Sequence, residues 1–217
     1  MLSILSVGIA PAIALLSYIY LKDKITEPIW LIIRMFILGA LLVLPIMFIQ
    51  YAISSEIEYN SIFVESFFQI ALLEEFFKWF LFMFVIYQHE EFDNHYDGIV
   101  YASSISLGFA SIENIFYLIT NGIEYAFLRA LFPVSSHALF GIIMGYYLGK
   151  AKTYPDYKKR NLTLAFLIPF LLHGVYNFIL KGFSSFILIL TPFMILLWIF
   201  ALYRLKRANE NTLTDLK

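Results

Sequence analysis

Seven long runs of apolar residues, each long enough to cross a lipid bilayer, constrain the fold of this 217-residue chain more than any other feature. They cover residues 1–21, 29–53, 64–87, 98–119, 131–149, 161–180 and 184–203. A spanning helix needs about 20 apolar residues, and lipid offers the backbone no hydrogen-bonding partner. The sequence therefore predicts an all-α fold: a polytopic membrane helix bundle of about seven transmembrane helices, forming one domain over residues 1–217 with a polar tail at 204–217.

Composition excludes several other classes of protein. The chain is 61% apolar and 14% charged, with a net charge of −1, whereas a soluble domain is about 45–50% apolar and about 25% charged. A soluble enzyme, a disordered chain and a nucleic-acid-binding protein are all excluded on these grounds. The chain has no cysteine, so disulfides, thiolate metal ligands and cysteine nucleophiles are excluded as well.

The distribution of lysine and arginine predicts the orientation in a cell membrane. Eleven of these residues lie in segment 22–28, segment 150–160 and the tail, while the opposite side has only Arg129 and Lys181. Because basic loops stay in the cytoplasm, we expect the N-terminus outside and the tail in the cytoplasm. Loop 88–97 falls on the cytoplasmic side without any lysine or arginine, which leaves the neighbouring span boundaries open.

Clusters of polar residues inside the spans are few and fall on the third to sixth runs. Ionisable groups in a membrane are costly, and they are candidates for function by default. At 1.5 Å per residue, the carboxylates and imidazoles of these runs lie roughly 9–17 Å from the outer surface. The polar residues are Glu74, Glu75 and Lys78 on the third run, Glu113 and Asn114 on the fourth, His137 on the fifth, and His173 and Asn177 on the sixth.

The spacing of these residues indicates how they can meet. Glu74 and Glu75 point in different directions on a helix, yet either can reach Lys78 at i+4 or i+3. His173 and Asn177 are four residues apart and share a face.

A stripe of small residues on the fifth run predicts close helix packing. Gly141, Gly145 and Gly149 follow His137 at four-residue spacing, and small residues let helices approach closely in lipid. The stripe would press His137 against a neighbouring helix.

Two glutamates and two histidines are sufficient for hydrolysis by an activated water molecule. We expect no cofactor; a divalent metal such as zinc, with Glu75, His137 and His173 as ligands, is the alternative. The spans contain no aspartate pair, and neither an HExxH nor a GxSxG motif occurs, so aspartyl, common zinc-protease and serine mechanisms are disfavoured.

Four ordered motifs over residues 74–177 resemble one family of membrane proteins. Glu74-Glu75-Phe-Phe-Lys78 is similar to the EExxK/R signature of the CAAX-protease and bacteriocin-processing superfamily. The run 109–114 is similar to its FxxxH motif with Glu113 in the histidine position, as in the PrsW branch. His137 resembles the isolated third-motif histidine, and the run 173–177 resembles the closing HxxxN.

The resemblance implies a glutamate-dependent intramembrane endopeptidase. PrsW proteins make the first, extracytoplasmic-side cut in a single-pass anti-sigma factor, RsiW, which leads to sigma-factor release under antimicrobial peptides and envelope stress. By position, Glu75 is implied as the base, with Glu74 close behind. His173 and Asn177 are implied as oxyanion or water partners, and His137 as support for the site.

In this sequence, lysine at position 78 keeps the charge of the commoner arginine but lacks the planar guanidinium group, which can pair with a carboxylate through two hydrogen bonds. Glutamate at position 113 changes the set of ligands a metal could use. We expect no nucleic-acid partner; the lipid bilayer and the substrate are the partners.

Two other functions fit a membrane protein with buried acids and imidazoles. A proton- or ion-coupled transporter also uses such groups, but carriers usually contain internal repeats or broken helices. A non-catalytic membrane scaffold is the second alternative, and it would be expected to lose part of the glutamate and histidine set.

Overall fold

The protein is helical throughout the part that the structure, a computed structural model, describes: residues 1–56 and 61–215, with side chains to residue 212. No strand occurs within these ranges, and the predicted all-α class is confirmed. The helices are α1 (Leu2–Leu21), α2 (Ile29–Leu41), α3 (Val43–Glu56), α4 (Ile62–Val64), α5 (Leu72–Val85), α6 (His95–Asn121), α7 (Ala126–Arg129), α8 (Ser135–Thr153), α9 (Lys158–Gly182) and α10 (Phe186–Asp215).

Short segments of other helix types join some of these helices. A π-helical segment, Glu65–Ala71, runs directly into α5, and a second, Ala130–Val134, runs directly into α8. Single 3₁₀ turns precede α7 and α9. The π-helix is rare and occurs frequently at functional sites, and here both π segments lead into helices that carry the polar residues singled out above.

Six helical stretches are long and apolar enough to cross a membrane, so the protein is a multi-pass membrane protein. They are Leu2–Leu21, Ile29–Glu56, His95–Asn121, Ile123–Thr153, Pro155–Gly182 and Phe186–Thr212. The predicted third run, 64–87, falls on the continuous helical stretch from α4 to α5. That stretch carries three charged side chains near its middle, Glu74, Glu75 and Lys78.

Several helix boundaries differ from those predicted from hydropathy, and two of these differences have a local cause. The helix predicted at 98 begins at His95, because Asn94 and Asp97 form a capping box that satisfies backbone donors at the helix start. The last helix continues to Asp215 rather than ending at residue 203, since basic and amide side chains are compatible with a helix in water. Part of the predicted acidic loop, residues 57–60, and the end of the tail lie outside the described residues.

The core of the bundle is formed by α6 and α8, which pack at backbone contact. A side chain on Gly145 would collide with the backbone of Gly98, one on Gly149 with the backbone of His95, and one on Gly141 with Ser103. This close approach explains the glycine stripe and holds α8 firmly against α6.

The basic segments gather at one end of the bundle, here called the lysine-rich end. Asn209 donates from its side chain to the carbonyl of Lys22 over 2.9 Å, which joins the end of α10 to the end of α1. Lys152 donates to the carbonyl of Tyr87 over 3.2 Å. The loop after α5, which has no lysine or arginine, therefore lies at the same end as the basic segments.

Candidate active site

Glu75, on the first turn of α5, is the centre of a buried polar cluster. Its side chain is completely buried, and its Oε1 accepts hydrogen bonds from two directions. Lys78 Nζ donates over 2.9 Å from the next turn of the same helix, and His173 Nδ1 donates over 2.9 Å from α9. The other oxygen, Oε2, has no hydrogen-bond partner within the described structure, so the carboxylate is oriented at one oxygen and free at the other.

Glu74 lies beside Glu75 but is held less firmly. Its Oε1 accepts a long 3.5 Å hydrogen bond from Gln50 Nε2 of α3. Its Oε2 lies 3.6 Å from Lys78 Nζ and 4.0 Å from His173 Nε2. One lysine thus faces both carboxylates, as the i+3 and i+4 spacing predicted.

His137 connects this pair of acids to a third carboxylate on α6. Lys78 Nζ lies 3.1 Å from His137 Nδ1, and Glu113 Oε2 lies 3.0 Å from His137 Nε2. Because an ammonium only donates and a carboxylate only accepts, His137 carries its proton on Nε2 and keeps a lone pair on Nδ1. Arg129 Nη2 lies 3.6 Å from Glu113 Oε1, at the outer end of this series of polar contacts.

Aromatic rings enclose the polar groups. The ammonium of Lys78 lies 4.3 Å from the centre of the Phe109 ring, and Phe140 stacks on His173 with 5.0 Å between ring centres. The rings of His137 and His173 meet edge to face at 5.2 Å. These contacts fix the imidazoles and exclude water, which strengthens charge interactions in the site.

The two asparagines of the predicted set lie in different places. Asn177 is one turn after His173 on α9 and is buried, and its Nδ2 donates to no described group. Asn114 instead donates to the carbonyl of Gly8 over 2.9 Å and accepts from Arg129 Nε over 2.8 Å. Asn114 therefore ties α6 to α1, while Asn177 keeps an unused donor beside the cluster.

The donor atoms of the cluster fit a divalent metal ion. Glu74, Glu75, His137 and His173 each offer one ligand atom, and these four atoms lie within 4.8 Å of one another. The free oxygens of both glutamates are buried without hydrogen-bond partners in the described chain. Carboxylate oxygen and imidazole nitrogen are the ligands of catalytic zinc sites. The geometry is thus compatible with the metal-dependent alternative, although the Lys78 ammonium now lies within 3.6 Å of Glu74, Glu75 and His137.

Access to the cluster is through Glu113. The side chain of Glu113 is 38% exposed, whereas those of Glu74, Glu75, His137 and His173 are at most 8% exposed. Glu113 lines an open groove of about 250 Å³ together with Met47 of α3 and further residues near the end of α6. Glu113 therefore connects the buried cluster to an open groove near the end of α6.

Three contributors were missed by sequence reasoning. Gln50 and Arg129 hold the outer carboxylates, and Phe140 stacks on His173. Gln50 is a polar residue within an apolar run, and this signal could have identified it. Arg129 and Phe140 have no local signal, since their roles depend on which helix faces meet.

A second group of buried carboxylates lies at the lysine-rich end. Asp23, Glu27 and Asp97 approach within 4.8 Å of one another, and the hydroxyl of Tyr101 donates to Glu27. Burial raises the pKa of Asp23 to about 7, and it also raises the pKa of Glu27. Asp97 looked like a loop residue in the sequence, but the capping box places it on α6.

Comparisons with known proteins agree with the cluster. The family model described as PrsW family intramembrane metalloprotease matches residues 27–203. The chain is 90% identical to a protein named Protease PrsW from Oceanobacillus iheyensis over 215 residues, which are 99% of this chain and all of that protein. It is 53% identical to Protease PrsW of Bacillus subtilis over 97% of both chains. It is 31% identical to Protease PrsW of Clostridioides difficile over 97% of this chain and 93% of that one. No solved structure matches the chain.

Proposed function

The chain belongs to the PrsW family of intramembrane metalloproteases, and from this premise we propose that it makes the first cut in a membrane-anchored anti-sigma factor of the RsiW type. The observation that carries the proposal is the buried cluster of Glu74, Glu75, His137 and His173, brought together from three helices. These are the groups that peptide hydrolysis by an activated water needs. The cut would release a sigma factor in response to antimicrobial peptides and envelope stress.

Glu75 is the general base in this proposal. Lys78 and His173 hold Oε1 at 2.9 Å each, while the buried Oε2 has no partner in the described structure. Water gives a proton to Oε2 as its oxygen attacks the scissile carbonyl carbon. The same proton then passes to the peptide nitrogen as the carbon–nitrogen bond breaks, so the base is regenerated.

Two side chains of α9 and one of α8 assist the base in this mechanism. Asn177 has an unused amide donor one turn from His173, which suits it to donate to the developing oxyanion. His173 orients the base through its Nδ1, and its Nε2 is left facing Glu74 at 4.0 Å. His137 is oriented by Glu113 and Lys78, so it supports the site by positioning.

Zinc is the ion that this donor set would hold, through Glu74, His137 and His173, with Glu75 left as the base. His137 would bind through Nδ1, in place of its contact with Lys78. Such an ion supplies Lewis-acid polarisation of the carbonyl and activation of water. The protein's own contribution is to keep the four donor atoms within 4.8 Å of one another and to shield them from bulk water. The cluster contains three carboxyl groups and two cationic side chains, and this excess of acidic groups favours a bound cation.

The membrane orientation belongs to the same proposal. The basic segments gather at the lysine-rich end, which the asymmetry of basic residues assigns to the cytoplasm. His137 is near the start of α8 and Lys150 is near its end, so the cluster lies toward the opposite, extracytoplasmic end. A cut there would fall in the substrate's outer juxtamembrane region.

The proposal is tested with the purified protein in liposomes, together with a single-pass anti-sigma factor. Mass spectrometry of the new N-terminus would locate the cut for wild type and for His173→Ala. We expect a cut on the extracytoplasmic side, its loss in His173→Ala, and its loss on chelation with recovery on adding zinc. Cleavage that survives His173→Ala would contradict the assignment of the site, and a cut on the cytoplasmic side would contradict the orientation.

A further inference from the structure

A basic cavity at the lysine-rich end lies far from the catalytic cluster. It has a volume of about 310 Å³ and lies between the end of α8, the start of α9 and the end of α10. Lys150 on its wall is 13 residues after His137 on the same helix, and at 1.5 Å per residue this corresponds to about 20 Å. The cavity therefore has no part in the proteolytic site.

Three cationic side chains from three helices line the cavity, namely Lys150, Arg160 and Arg207. None of them forms a salt bridge with a carboxylate in the described part of the chain. Each lies against a tyrosine ring, with Arg160 4.5 Å from the centre of Tyr157 and Lys150 5.5 Å from that of Tyr146. No acidic side chain of the described residues lines the cavity, so this lining is positively charged.

Two buried polar groups of the lining have no partner among the described residues. Asn161 and Tyr146 are each only 1% exposed. The Nδ2 of Asn161 and the hydroxyl of Tyr146 form no hydrogen bond with the described residues. Burying unsatisfied donors is unfavourable unless a ligand or water satisfies them. Both residues belong to the lining of the cavity, and a small turn of either side chain would bring its unused donor to a ligand there.

We propose that this cavity binds a phosphate group, carried either by an anionic phospholipid or by a soluble phosphate compound. Phosphate oxygens accept several hydrogen bonds at once, and arginine pairs with them through two parallel bonds. Basic pockets between membrane helices bind anionic lipid headgroups on the cytoplasmic side. The tyrosine rings would flank the headgroup or the soluble ligand. The proposal does not depend on the protease activity.

The test compares two double variants that remove the same charge. Arg160→Gln with Arg207→Gln alters the cavity, while Lys159→Gln with Lys206→Gln alters neighbouring exposed residues that do not line it. A third variant, Asn161→Ala, keeps every charge and removes one buried donor. All are purified in detergent and stripped of lipid.

Native mass spectrometry with phosphatidylglycerol or phosphatidylcholine measures the lipid arm, and the shift of the melting temperature with inorganic phosphate or ATP measures the soluble arm. For whichever ligand binds the wild-type protein, phospholipid or soluble phosphate, we expect the dissociation constant to rise about tenfold in the arginine variant. It should rise less than about twofold in the lysine control. Asn161→Ala should weaken binding in the same arm. The proposal is overturned if both double variants lose the same affinity, or if the arginine variant binds lipid and soluble phosphate as wild type does.

Discussion

Replacing Lys78 with methionine should destabilise the protein far more than an ordinary lysine substitution. Lys78 is 1% exposed, and its ammonium lies 2.9 Å from Glu75 and 3.6 Å from Glu74. Without it, the two carboxylates face each other with ligand atoms no more than 4.8 Å apart. Two unit charges at that separation repel by about 3–4 kcal/mol at an effective dielectric constant of about 20.

This magnitude agrees with the general cost of breaking a buried ion pair, which is about 3–5 kcal/mol. Equilibrium unfolding in mixed detergent micelles would measure it as a fall in the free energy of unfolding. Adding Glu74→Gln to Lys78→Met removes the repulsion, and we expect the double variant to recover most of the loss.

Lys181→Met is the matched control. Lys181 forms a salt bridge with Glu65, and both side chains are about one-third exposed. An exposed pair contributes at most about 1 kcal/mol. The reasoning is refuted if Lys78→Met costs no more than Lys181→Met, or if Glu74→Gln does not restore stability.

Three further predictions follow from the packing, the burial and the outer edge of the site. Gly145→Val should prevent stable folding, because its side chain would collide with the backbone of Gly98, whereas Gly182→Val meets nothing within 4 Å and should leave the yield of folded protein unchanged. Burial raises the pKa of Asp23 from 3.8 to about 7, so the folded state binds the proton more tightly and stability falls as the pH rises through that window. Asp23→Asn should remove this part of the fall, measured as the melting temperature from pH 4 to pH 8; an unchanged pH profile would contradict it. Arg129→Gln should slow cleavage by roughly tenfold without abolishing it, since Arg129 acts on the base only through a chain of other residues; an unchanged rate would exclude this role.

The sequence predicted much of the fold because membrane helices have a strong local signal. Apolar runs set the helices, and glycine spacing on α8 identified the face that packs against α6. The helix ends were predicted less well, because hydropathy reports where the membrane ends and not where the helix ends. Thus α10 continues to Asp215 through basic and amide residues. The π-helical segments before α5 and α8 have no comparable signature in a single sequence.

The candidate site was predictable to the extent that its residues are costly in lipid. Glu75, His137 and His173 stood out for that reason, and the structure places them together. The contacts that tie Gln50 and Arg129 to the site join different helices. Such contacts depend on helix rotation and packing, which periodicity within one helix does not determine.

The central claim is that Glu75 is the base of an intramembrane protease, and its most direct test is the rate at which liposome-bound protein cuts a single-pass anti-sigma factor. Glu75→Gln is compared with Glu65→Gln, which changes an exposed glutamate ten residues earlier on the same helical stretch. Loss of a general base typically costs a factor of about 10²–10⁴ in rate. The account predicts a loss of this size for Glu75→Gln and a nearly unchanged rate for Glu65→Gln. Cleavage by Glu75→Gln at the wild-type rate would contradict it.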